Sequence, residues 1–150
     1  MIQKKTVSNA ELIPEIARLV KEGNEVIFTP KGASMLPFIR GERDRVMLRD
    51  CPTPKQGDIV LALTQGSRYV LHRIISIDGD RIILMGDGNI AGRETCTKEG
   101  ILAVVTRILK DGKEIDCQSA SHMRKAALWR RLLPVRRLLL AIYKKTLLET

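Results

Sequence analysis

The residues with the clearest capacity for chemistry lie between Lys31 and Pro37, where the sequence is KGASMLP. Ser34 follows a glycine and an alanine and precedes an apolar residue. Small residues let a substrate backbone approach closely, so this pattern predicts a tight, open turn that presents the Ser34 hydroxyl. The backbone amides of Ser34 and Met35 are then placed to donate hydrogen bonds to a developing oxyanion.

A serine hydroxyl needs a general base within hydrogen-bond reach before it acts as a nucleophile. The chain has two histidines: His122 lies in the C-terminal part, and His72 lies in an otherwise apolar stretch, YVLHRII. An imidazole titrates near neutral pH, which suits proton transfer from a hydroxyl, so His72 is the candidate base. Taken singly, the two residues leave another interpretation open, in which His72 is a core histidine and Ser34 a loop serine.

Four short motifs occur in order along the chain: GASMLP at 32–37, GDIV at 57–60, HRI at 72–74 and GDGN at 86–89. This succession resembles the signal peptidase and LexA-type repressor superfamily of serine peptidases, over a region from about Val26 to Leu109. The resemblance implies a curled, mostly antiparallel β-structure with Ser34 as nucleophile. His72 is followed by arginine, and residues 56–97 contain no lysine. The chain is therefore similar to the Ser-His branch, with His72 as general base.

A third group would orient the imidazole or stabilise its charged form. The resemblance places Asp87 of the GDGN motif in this role, and the alternative is that Asp87 only shapes a turn. The Ser-His branch has a further aspartate a few residues later, where this chain has Gly92-Arg93-Glu94. Glu94 is the only nearby substitute for it. Asp58 is expected to be structural, and Arg73 is expected to face solvent.

The elements that must position these residues are predicted to form a β-domain behind one helix. The sequence SNAE at 8–11 is typical of a helix start, and Gly23 is a plausible end. The turn dipeptides Asp78-Gly79 and Asp111-Gly112 favour hairpins. The predicted strands are Glu25–Thr29, Arg45–Leu48, Asp58–Leu63, Tyr69–Ile77, Arg81–Met85, Ile101–Leu109 and Glu114–Cys117. Strands do not alternate with helices, so we predict a mainly β, antiparallel fold of the α+β class.

The charge is unevenly distributed between two predicted parts of the chain. Residues 1–118, the predicted peptidase-like domain, carry 18 Lys and Arg against 16 Asp and Glu. Residues 119–150 carry eight Lys and Arg against Glu149 alone. This basic tail is predicted to form two helices, Ser121–Leu133 and Pro134–Leu148. Its apolar residues and Trp129 favour binding to an anionic membrane surface. Packing against the body, or binding another partner or nucleic acid, are the alternatives.

Composition argues against several other classes of protein. Five aromatic residues are few for a protein that stacks nucleic-acid bases, so no specific nucleic-acid partner is expected. The histidines and cysteines lack the spacing of metal ligands, and no cofactor is expected. Three cysteines without a CxxC pair suit a reducing compartment. The sequence shows neither a membrane-spanning run nor an export signal. We therefore expect a cytoplasmic protein, peripheral on the inner face of the membrane if its tail binds lipid.

Together these features predict a serine endopeptidase that cleaves an extended peptide or precursor protein through Ser34 and His72. One alternative is a non-catalytic peptide-binding module of the same fold, because the second aspartate of the family pattern is missing. Another is a self-cleaving LexA-type regulator, although the segment before Glu25 is too short for a helix-turn-helix domain.

Overall fold

The computed structural model describes residues 9–149 of the protein. The helices are α1 (Asn9–Lys21), α2 (Ala120–Arg131) and α3 (Arg136–Glu149). The strands are β1 (Val26–Phe28), β2 (Arg45–Arg49), β3 (Ile59–Leu63), β4 (Tyr69–Asp78), β5 (Arg81–Met85), β6 (Glu94–Thr97), β7 (Ile101–Lys110) and β8 (Lys113–Asp116). Short 3₁₀ turns occupy Lys98–Gly100 and Leu133–Val135.

The strands form one sheet in the order β1-β2-β7-β3-β4-β5-β6, and β8 pairs with β7. All of these pairs are antiparallel. The register shifts at three places, between β2 and β7, between β3 and β7 and between β4 and β5. Such bulges bend a strand and increase its twist. The prediction of a mainly antiparallel α+β fold, with a helix at each end of the chain, is confirmed.

Both predicted Asp-Gly turns form hairpins. Asp78 pairs with Arg81 at the end of the β4–β5 hairpin, and Gly79 has a φ of 59°. In the β7–β8 hairpin, Asp111 and Gly112 both have positive φ, 51° and 76°. Two central residues with positive φ make the type of turn whose twist matches antiparallel strands.

Two details differ from the sequence prediction, and a third cannot be compared with the structure. β6 is absent from the predicted strands, because its four residues, ETCT, include a single buried apolar side chain, Cys96. Pro134 lies in the 3₁₀ turn, whereas α3 begins only at Arg136. Ser8, the first residue of the predicted capping box, lies outside the described residues.

The centre of the sheet is buried on both faces. In β3, Ile59 and Leu61 belong to one apolar cluster, and Val60 and Ala62 belong to another. Successive side chains of a strand point to opposite faces, so β3 has apolar packing above and below. The first cluster joins α1 to the sheet through three buried residues, Ile13, Ile16 and Val20. Within residues 9–149, every helix is too short or too polar to reach across a lipid bilayer.

Candidate active site

Ser34 lies in a compact turn between β1 and β2. The turn is closed by hydrogen bonds from the Leu36 amide to Ala33 O at 3.2 Å and from the Phe38 amide to Met35 O at 3.0 Å. Met35 and Leu36 are buried below it, whereas Ser34 is half-buried. The apolar residues that follow Ser34 therefore fix the main chain in the core and leave the serine at the surface of the fold.

The loop Gly86–Asn89 holds the Ser34 turn from the other side. The Gly88 amide donates a hydrogen bond to Ser34 O at 2.8 Å. A Cβ atom on Gly86 would collide with Ser34 O, and one on Gly88 would collide with Ala33 O. The glycines of the GDGN motif are therefore required because two main chains meet here without room for side chains.

Ser34 and His72 line one open cavity of about 540 Å³. Its apolar lining includes Ile13, Phe28, Met35, Ile39, Leu61 and Leu71, and its rim carries Lys31, Arg68 and Arg93. Within residues 9–149, no hydrogen bond joins the Ser34 hydroxyl to the His72 imidazole. Catalytic hydrogen bonds are often long in an unliganded enzyme and tighten when substrate binds. The structure thus brings the predicted nucleophile and base to the same cavity, without a hydrogen bond between them.

His72 is buried in β4, and its Nδ1 atom lies 3.1 Å from Oε1 of Glu94. This close contact is not aligned as a hydrogen bond, and Nδ1 has no other partner in the described part of the chain. Burial lowers the pKa of His72 below its usual 6.5, while the negative charges of Glu94 and Asp87 act in the opposite direction. His72 is therefore neutral at physiological pH, the state that can accept a proton.

The carboxylate at Nδ1 of His72 belongs to Glu94, because that of Asp87 is bound to Arg73. Arg73 Nε lies 2.9 Å from Oδ1 of Asp87, and Arg73 Nη2 lies 2.7 Å from its Oδ2. Such two-point pairing takes up both carboxylate oxygens. The structure therefore places Asp87 beside the site, where it acts on His72 through its charge, and not in contact with the imidazole.

The expectation that Arg73 faces solvent is wrong, because its side chain is fully buried. Neighbouring residues of a strand point to opposite faces, so Arg73 lies on the other side of β4 from His72. There Arg73 Nη1 donates to Gly57 O at 2.9 Å and lies 3.5 Å from His122 Nε2. The guanidinium also lies 5.1 Å from the centre of the Phe38 ring. One arginine thus joins the loops of the GDIV and GDGN motifs to the Ser34 turn and to α2.

Asp58 shapes the turn before β3, as expected. Its Oδ2 accepts a hydrogen bond from the Lys55 amide at 3.0 Å, and its Oδ1 accepts one from the Gln118 side chain at 3.1 Å. This pattern is typical of an aspartate that fixes a turn.

The C-terminal tail packs on the same GDGN loop. Trp129 Nε1 donates to Asp87 O at 2.7 Å, and Arg136 Nη1 donates to Asn89 O at 2.9 Å. The Arg136 guanidinium lies 5.1 Å from the centre of the Trp129 ring, and Arg136 is buried. No pattern in the sequence distinguishes Arg136 from the other basic residues of the tail, so this support of the site was not predictable.

The backbone amides proposed for the oxyanion are those of Ser34 and Met35. Neither amide donates a hydrogen bond to an acceptor within residues 9–149. Preorganised amides beside a nucleophile stabilise the negative oxygen of a tetrahedral intermediate. The turn therefore offers donors next to the Ser34 hydroxyl.

The described residues contain no group of three or more His, Cys, Asp or Glu that could hold a metal ion. The cysteines Cys51, Cys96 and Cys117 are free thiols. No protein-family model matches the chain, and a search of curated proteins finds no match either.

Proposed function

We propose that the protein is a serine endopeptidase of the signal-peptidase and LexA type, with Ser34 as nucleophile and His72 as general base. The main support is that these two residues line the same open cavity although they are far apart in sequence. The contact of the Glu94 carboxylate with Nδ1 of His72 supports the same function. The meeting of the motif loops around Arg73 is a further, independent support.

In the proposed reaction, Ser34 Oγ forms a bond to the carbonyl carbon of the peptide while His72 Nε2 takes the hydroxyl proton. The carbonyl oxygen becomes an oxyanion that accepts hydrogen bonds from the amides of Ser34 and Met35. His72 then gives the proton to the leaving amine as the C–N bond breaks. Water attacks the resulting ester with His72 again as base, which releases the acid and restores Ser34. The Glu94 carboxylate stabilises the imidazolium in both steps.

The proposed substrate is an extended peptide within a larger precursor. β1 is one of the two terminal strands of the sheet, and within residues 9–149 no further strand pairs with its outer edge, the kind of edge to which an extended peptide can add. Phe28 of β1 lines the cavity together with Ser34, so a peptide paired along this edge would reach the nucleophile. By resemblance to the superfamily, small side chains are expected next to the cleaved bond.

A fluorophosphonate probe, which reacts only with activated serines, tests this proposal. We expect one adduct per chain on Ser34 in the wild-type protein and none in the variant Ser34→Ala, measured by intact-mass spectrometry with peptide mapping. Ser76→Ala is the matched control, since Ser76 lies in β4 but is not among the cavity residues, and it should label like wild type.

Because no hydrogen bond joins Ser34 to His72 in the described structure, a second candidate function is a peptide-binding module without turnover. A wild-type protein that is folded by circular dichroism but forms no adduct between about pH 6 and pH 9 would contradict the peptidase and favour this module.

The variant Glu94→Gln is expected to label more slowly and to shift the acid limb of the pH profile to lower pH. Protonated His72 cannot accept the Ser34 proton, so the labelling rate falls as pH decreases through the pKa of His72. The Glu94 charge raises that pKa, and its removal lowers it further below 6.5. Loss of the contact with Nδ1 should also slow labelling at neutral pH by at least about 10-fold.

Glu99→Gln is the control for charge alone, because Glu99 is exposed in the turn after β6. Labelling rates measured at a series of pH values, extended below pH 6.5 until the rate falls, give both profiles. An acid limb in Glu94→Gln that coincides with the wild-type limb would show that Glu94 does not act on His72.

A further inference from the structure

The tail has apolar side chains on two sides. On the side towards the body, Ala126 and Leu140 are buried. On the opposite side of α3, Leu138 (63% exposed) and Ile142 (57%) lie one helical turn apart. Together with the exposed Leu128 (58%) and Val135 (47%), they are here called the outer face. A helix that is apolar on both sides is normally covered on both. Within residues 9–149, nothing covers the outer face, which indicates an external partner.

The surroundings of the outer face are uniformly basic. The exposed basic residues of the tail are Arg124, Lys125, Arg131, Arg137, Lys144 and Lys145. Residues 120–148 contain no aspartate or glutamate, and none of these six forms an ion pair with a side chain of residues 11–148. The partner must therefore offer both apolar contact and negative charge.

We propose that the outer face binds the surface of an anionic lipid bilayer. Leucine and isoleucine side chains of an interfacial helix enter the boundary of the hydrocarbon, and flanking Lys and Arg bind anionic headgroups. A second copy of the chain fits less well, since a symmetric interface would bring the same basic residues of both copies together. The bilayer supplies both properties that the face requires.

Binding through the outer face would also place the candidate active site next to the membrane. The inner side of the tail holds the GDGN loop through Trp129 and Arg136, and that loop holds the Ser34 turn. Trp129, a possible membrane anchor by sequence, therefore contacts the body, and the leucines of the outer face take that role. The lipid binding itself does not depend on catalysis.

Vesicle co-sedimentation of the full chain carrying Ser34→Ala tests the proposal separately from peptidase activity. We expect binding to phosphatidylglycerol–phosphatidylcholine vesicles that weakens with added salt, and far weaker binding to phosphatidylcholine alone. The triple variant Arg137→Gln/Lys144→Gln/Lys145→Gln should bind about 100-fold more weakly, because each basic residue near such a surface contributes about five-fold.

The double variant Leu138→Ser/Ile142→Ser should bind the vesicles at least about 10-fold more weakly, because the apolar area that enters the bilayer is removed. Leu63→Ser is the matched control: Leu63 is an exposed apolar residue of β3, away from the tail, and its replacement should leave binding unchanged. All variants are checked for unchanged circular dichroism and melting temperature.

Two results would overturn the proposal. One is a folded full chain that fails to bind phosphatidylglycerol vesicles at low salt, or that binds them equally well in the double and triple variants. The other is a dimer in the absence of lipid, lost in Leu138→Ser/Ile142→Ser, which would assign the outer face to a second copy of the chain.

Discussion

Replacing His72 with alanine is expected to slow fluorophosphonate labelling of Ser34 by at least about 10⁴-fold. A serine hydroxyl is a weak nucleophile at neutral pH, so its reactivity depends on a base that removes its proton. Within residues 9–149, His72 is the only histidine that lines the cavity. The labelling rate of the variant, measured by mass spectrometry over hours, should equal that of Ser34→Ala within error.

Two controls separate His72 from the other groups that could act as base. Lys31→Met tests the one lysine among the described residues that line the cavity, and it should retain most of the wild-type rate because Lys31 is exposed at the rim. His122→Gln tests the other histidine, whose contact with Arg73 places it on the other side of β4. Loss of labelling in Lys31→Met together with normal labelling in His72→Ala would replace the Ser-His assignment with a Ser-Lys one.

The local parts of the candidate site could be predicted from the sequence because local residue types determine them. Gly86 and Gly88 are required where the main chains of two loops touch, and the apolar residues after Ser34 are required to fix its turn in the core. These constraints act over a few neighbouring positions, so they appear as short motifs. The hairpins at Asp78-Gly79 and Asp111-Gly112 were predictable for the same reason.

The choice between Asp87 and Glu94 as the partner of His72, and the partners of Arg73, could not be predicted, because they depend on packing between distant elements. Alternation along β4 places the two side chains on opposite faces, but it does not indicate that α2 covers the Arg73 face. Glu94 reaches His72 from β6, a strand too short and polar to be recognised by its pattern. The sequence offers both Asp87 and Glu94 as candidate partners of His72, and only the three-dimensional arrangement shows which carboxylate contacts the imidazole.

The variant Arg73→Met is expected to lower the free energy of unfolding by about 3–5 kcal/mol. It leaves the buried Asp87 carboxylate without its partner and removes the hydrogen-bond donor of Gly57 O. An unpaired buried charge costs far more than a lost surface contact. Urea denaturation followed by circular dichroism gives the difference. The total free energy of unfolding of a small domain is only about 5–15 kcal/mol, so the variant should be substantially less stable than wild type.

The control is Arg18→Met, which removes two ion pairs, one with Glu15 and one with Glu22. All three side chains are about half-exposed. Exposed pairs contribute at most about 1 kcal/mol.

Adding Asp87→Asn to Arg73→Met should recover part of the lost stability, because it removes the unpaired buried charge. If Arg73→Met does not fold, Arg73→Lys keeps the charge but loses the two-point pairing, and it should still be less stable than Arg18→Met. Equal stability of the Arg73 and Arg18 variants would show that Arg73 does not hold the motif loops together, and the Ser34 turn would then need another support.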